Sequence, residues 1–190
     1  MIAQLNLSSG GAIENIAQII PRTKNPVFYL CLNNYTIQGM MQSFSQILAH
    51  VVFSTKKRIL LLDDNITTDL YPYITNILKN HKCCVLQIGG TENHIHILCA
   101  LAKNLTMGKV VEEVKTGSSK WIKTKSSRYE DFYWQHGYGA FSVSPSHVAI
   151  VRNYIANQKQ HHEKFTFEDE FRRLLQKYNV AFDEKYLFDD

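Results

Sequence analysis

Apolar residues recur along this chain in two alternating rhythms. From Gln46 to Ser54 the run is almost unbroken (Ile47, Leu48, Ala49, Val51, Val52, Phe53), which reads as a buried strand ending at the basic cluster Lys56-Lys57-Arg58. Between 66 and 78 the spacing becomes helical: Ile66, Leu70, Ile74, Ile77 and Leu78 form one stripe, Asp63-Asp64 can cap it, and Pro72 either kinks it or marks its start. Strand spacing returns over 83–88 and 94–101, on either side of a turn at 89–93. Asn104 or Thr106 can cap a second helix carrying Val110, Val114 and Trp121, its middle loosened by Gly117-Ser118-Ser119. An aromatic-glycine loop, 132–139, leads into a strand at 140–143. Ser144-Pro145 then starts a helix running to about His161, with Val148, Val151 and Ile155 toward the sheet. Thr166-x-x-Asp169 caps a last short helix with Phe171, Leu174 and Leu175 inward. The order β-α-β-β-α-β-α predicts an α+β fold: a four-stranded antiparallel sheet with helices on one face, the split β-α-β plan. Residues 1–40, rich in Gly, Pro, Asn and Ser, read as a poorly ordered extension before a domain at 41–190, consistent with upstream sequence read from an early start codon.

Composition narrows the class. A chain of 190 residues with 45% hydrophobic content builds one domain with a real core. Its charge is uneven: residues 41–162 hold 14 Lys+Arg against 8 Asp+Glu, while 163–190 hold 5 against 8. A basic body with an acidic tail favours a polyanionic partner, a solvated basic face being the bland alternative. Cys31, Cys83, Cys84 and Cys99 make no Cys-x-x-Cys pair and read as free thiols in a reducing cytoplasm. No apolar run has the length of a membrane span, and Val27–Leu32 is too short for a secretory core.

Two patterns carry candidate chemistry. In a strand, His94 and His96 project from one face while Ile95, Ile97 and Cys99 project from the other. Two imidazoles side by side on a rigid sheet suit one divalent cation; two partly buried strand histidines with hydrogen-bond partners are the structural alternative. About sixty residues on, Tyr154 and Gln158 stand four apart, one helical turn, and so share a face. The Gln158 amide oxygen could be a third metal ligand and the Tyr154 phenol a nucleophile. Lys56, Lys57 and Arg58, with Lys115, Lys120 and Lys123 on the second helix, could hold phosphates. Tyr133, Trp134 and Tyr138 could stack on unpaired bases, or Trp134 and Tyr138 could belong to the core.

Taken together, His94-Ile95-His96, the Tyr154 to Gln158 spacing, HVVFSTKKR, WQHGYGAFSVS and the closing DEKYLFD resemble the single-tyrosine transposases of the HUH endonuclease superfamily. These are the small insertion-sequence type, including repeat-associated relatives. The resemblance covers about 44–188, departing at the first 40 residues and at Asn93, where many relatives carry aspartate. It implies a ferredoxin- or RRM-like palm, Tyr154 as nucleophile, and His94, His96 and Gln158 around Mg²⁺ or Mn²⁺. It also implies single-stranded DNA, often beside a hairpin, as substrate of cleavage and rejoining through a 5′-phosphotyrosine, and a homodimer. Three other readings stay open: a nucleic-acid-binding module, a metallohydrolase using water, and a domesticated transposase that binds hairpins and rarely cuts.

Overall fold

The computed structural model describes residues 45–188, which lie within the compact unit Met40–Asp190. The expected extension at 1–40 lies outside the described residues. Strand β1 (Leu48–Ser54) is central, with β3 (His94–Ala100) on one side and β4 (Gly139–Ser142) on the other; β2 (Cys84–Gly90) is the outer neighbour of β3. All neighbouring pairs are antiparallel. Every residue of β1 is buried, which explains its unbroken apolar run. β2 extends through Gly89-Gly90, taking in the first two residues of the expected turn, and carries an irregularity between Val85 and Gln87.

Helices α1 (Asp64–Asn80) and α2 (Met107–Lys123) cover one face of the sheet. Ile66, Leu70, Ile74 and Leu78 meet Val110, Val111 and Val114 over Ala49, Val51, Phe53, Ile95 and Ile97. Pro72 sits inside α1, which starts at its Asp63 cap; Thr106, not Asn104, caps α2. Gly117-Ser118 does not loosen α2. A Cβ at Gly117 would press on Ile77 Cδ1, and Ser118 Oγ donates to Val114 O, so the small residues let the two helices approach.

The second face is covered as well, which differs from the expected single helical layer. Helix α3 (Val148–Ala156), the short α4 (Gln158–His162) and α5 (Phe167–Lys177) lie here, followed by α6 (Glu184–Leu187). The reason is compositional: Val52 and Phe141 are apolar on this face and gather Phe167, Phe171, Leu174 and Leu175. The helix expected from Pro145 to His161 is also broken. Pro145–His147 forms a 3₁₀ turn, and Asn157, at φ −104° and ψ 22°, separates α3 from α4. Both the Asn157 backbone N–H and its side-chain amide donate to Asn153 O, at 3.1 and 2.8 Å.

Candidate functional site

Because β3 starts at His94, its alternation puts His94 and His96 on the second face, against α3 to α5. Both rings are fully buried, with centroids 5.1 Å apart. Each is fixed from behind. His94 Nδ1 lies 2.7 Å from Asn93 Oδ1 and 2.9 Å from Thr91 Oγ1, and the Thr91 hydroxyl donates to the same Asn93 oxygen. His96 Nδ1 lies 2.9 Å from Nε2 of His50, whose ring stacks on it. Each Nδ1 is thereby engaged, and each Nε2 is turned toward the helices. His96 Nε2 is buried with no hydrogen-bond partner. Two buried ring nitrogens side by side, both facing one carboxylate oxygen, are a donor set that a divalent cation satisfies, so these residues fit the metal the resemblance implies.

Tyr154 and Gln158 reach the same point from α3 and α4 despite the break at Asn157. Gln158 Oε1 is 3.3 Å from His94 Nε2, and the Tyr154 ring stands edge-on to His96 at 5.9 Å. What draws the groups together is Glu170 on α5, which the sequence-based set lacks. Its Oε1 accepts from the Tyr154 hydroxyl and, at 2.8 Å, from Gln158 Nε2. Its Oε2 lies 3.4, 3.3 and 2.9 Å from Nε2 of His94, His96 and His162. His162 and His50 are likewise additions. Glu170 did leave a signal: it falls on the apolar stripe of Phe167, Phe171 and Leu174, where a carboxylate is out of place.

Burial dominates the electrostatics. It lowers the His94 pKa to about 4 against the raising effect of Glu170, and that of His50 to about 3 with help from His96. Burial and then the negative charge of Glu170 raise the Tyr154 phenol above its ordinary value. For Glu170 burial works the other way, but the imidazoles of His96, His162 and His94 outweigh it and hold the carboxyl well below its usual range. The site is therefore an anionic carboxylate ringed by imidazoles, with a protonated phenol bound to it.

The expected DNA-contact residues fall into distinct groups. Lys123 Nζ lies 3.6 Å and Lys56 Nζ 5.9 Å from the ring centre of Tyr133, which is 53% exposed. Lys57 and Lys120 are exposed. Arg58 instead faces the C-terminal segment: its Nε pairs with Glu168 at 2.7 Å and its guanidinium lies over Phe188. Lys115 Nζ donates to the carbonyls of Gln135, His136 and Gly137, so it clamps the aromatic-glycine loop. Trp134 is a core side chain, edge-on to Phe53 and Phe132, with its indole N–H donating to Ser118 at 2.9 Å. Tyr138 is 41% exposed and, with Tyr133, lines a surface cavity of about 390 Å³. Among the described residues, no helix is long and apolar enough to cross a membrane.

Comparison with known proteins bears on this site. The family model "Transposase IS200 like" matches residues 43–158, which include His94, His96, Tyr154 and Gln158. No curated protein matches. A solved Deinococcus radiodurans R1 protein described as a transposase is similar at 18% identity and a TM-score of 0.50, over 64% of this chain and 98% of that one. A REP-associated tyrosine transposase solved bound to a REP hairpin is similar at 12% identity and a TM-score of 0.51, over 81% and 98%. At these identities the two structures speak for the fold, a four-stranded antiparallel sheet with packed helices. The match over most of the sheet and the tyrosine helix identifies the family, and the chain belongs to the IS200-like transposases.

Proposed function

We propose that the protein cuts and rejoins single-stranded DNA, using Tyr154 as nucleophile and a divalent metal. The observation carrying this reading is the convergence of the Tyr154 hydroxyl, the Gln158 amide and the Nε2 atoms of His94 and His96 around one point within a single chain. Tyr154 Oη attacks the scissile phosphorus and the bond to the 3′ oxygen breaks. This leaves a 5′-phosphotyrosine and a free 3′-hydroxyl. The phenol loses a proton as it attacks and the departing 3′ oxygen gains one, so the step balances, while Glu170 Oε1 accepts from the hydroxyl and orients it. A second 3′-hydroxyl reverses the attack, so strands rejoin without ATP. Mg²⁺ or Mn²⁺ at His94 and His96, beside the Gln158 amide oxygen, would polarise the phosphate and offset its developing charge. Exposed Lys56, Lys57 and Lys120, with half-buried Lys123, supply phosphate contacts, and Tyr133 and Tyr138 supply faces for unpaired bases. A DNA hairpin of the kind that the structurally similar REP-associated transposase was solved with, placed beside the cut, and a homodimer complete the reading.

The test is covalent capture. Wild-type protein with Mn²⁺ and hairpin-flanked single-stranded DNA should give an adduct that survives denaturation. Tyr154→Phe should give none while still binding the DNA, and His94→Ala should lose metal-dependent cutting. Cutting at the wild-type rate by Tyr154→Phe removes Tyr154 as nucleophile; cut DNA without adduct favours a water-using hydrolase.

A further inference from the structure

We propose that Glu170 and His162 bind the divalent ion together with His94 and His96, and that Gln158 positions the carboxylate rather than filling a ligand place. This deepens the nuclease reading and rests on it. The first ground is spacing. Three imidazole Nε2 atoms surround the single atom Glu170 Oε2 at 2.9 to 3.4 Å. Nitrogen and oxygen ligands each about 2.1 Å from one ion, at angles between octahedral and tetrahedral, stand about 3.0–3.4 Å apart. Ligand atoms of His94, His162 and Glu170 all lie within 4.8 Å of one another; His96 stands outside that group and joins it through Glu170 Oε2.

The second ground is hydrogen placement. His94 Nδ1 faces two oxygens, Asn93 Oδ1 and Thr91 Oγ1, and the Thr91 hydrogen is already given to Asn93. The ring proton therefore belongs on Nδ1, and in the neutral ring Nε2 is a bare lone pair. That lone pair meets two further acceptors, Gln158 Oε1 at 3.3 Å and Glu170 Oε2 at 3.4 Å. A cation seated between His94 Nε2 and Glu170 Oε2 turns that pair of acceptors into ligands and leaves Gln158 beside them. His96 Nε2, buried and without a well-formed hydrogen bond, faces the same carboxylate oxygen at 3.3 Å. Gln158 spends its amide N–H on Glu170 Oε1, as a residue that orients a ligand carboxylate does. The third ground is access. His162 lines an open cavity of about 510 Å³, so an ion reaches the buried ring nitrogens from solvent past His162.

Three imidazoles and one carboxylate suit Mn²⁺, Co²⁺ or Zn²⁺ better than Mg²⁺, which prefers an all-oxygen octahedron. Titration calorimetry of the full chain should give Mn²⁺ affinity at least about tenfold above Mg²⁺ affinity. Glu170→Gln and His162→Ala should each weaken Mn²⁺ binding about 10- to 100-fold, and Gln158→Ala should weaken it less than either. Unchanged Mn²⁺ affinity in Glu170→Gln and His162→Ala overturns the proposal, as does a larger loss in Gln158→Ala. Should the variants fold poorly, long-range proton–nitrogen NMR of the wild type during Zn²⁺ titration decides: shifts of the ring nitrogens of His94, His96 and His162 support it, and shifts of His94 and His96 alone sink it. Tight Mn²⁺ binding through all four residues without any DNA adduct would refute the nuclease reading and leave this site standing.

Discussion

Gly89 shows how closely the tyrosine helix is fitted to the sheet. It pairs with His96 across β2 and β3, and a Cβ there would overlap the carbonyl oxygen of Ile155, the residue after Tyr154. Gly89→Ala must push α3 away or distort β2. Overpacking of this kind costs about 1–3 kcal/mol, which lowers Tm by about 2–4 °C per kcal/mol in a domain of this size. Thermal denaturation should show that loss, and adduct formation should fall with it because Tyr154 moves with Ile155. A second residue-scale test concerns Trp134. Ser118→Ala leaves the buried indole N–H without its acceptor, an expected cost of about 1–3 kcal/mol by urea denaturation. The two readings of Trp134 could not be separated in sequence, since a tryptophan among glycines suits a base-stacking loop and a core alike. Burial under Phe53 and Phe132 comes from the return of the chain to β1, where Thr55 bridges Trp134.

At the scale of elements, α5 both completes the second core and delivers Glu170. Its start is held by Thr166, whose hydroxyl accepts from Asp169 N at 3.2 Å. Thr166→Ala should cost about 0.5–2 kcal/mol and, by fraying the turn that carries Glu170, should also weaken Mn²⁺ binding in calorimetry. Most elements were legible because their periodicity is strong: the β1 run, the α1 stripe and the His94–His96 alternation each obey one rhythm. Tyr154 and Gln158 were legible as a pair, although the helix joining them is broken; both side chains reach Glu170 because α4 resumes directly after Asn157. Glu170 was readable only as a carboxylate on an apolar stripe. His162 carried no signal, because its direction depends on the break at Asn157, which no spacing predicts.

For the whole molecule, the decisive feature is a sheet covered on both faces, with His94, His96 and Glu170 enclosed under the second layer. The lysines expected to meet DNA lie elsewhere: Lys56 and Lys123 flank exposed Tyr133, and Lys120 stands free in solvent on α2. Affinity for single-stranded DNA should therefore fall steeply with salt, and Lys123→Glu should reduce the slope of log affinity against log salt by about 1 or more in fluorescence anisotropy. Lys115→Met should act differently. It frees the loop carbonyls at 135–137, so it should lower Tm more than it changes the salt slope. The carboxylate that gathers the site lies past Gln158, outside the stretch that marks the family. Two chains alike through that stretch would share the tyrosine and the paired imidazoles, yet differ in what those rings face wherever the helix beyond it changes.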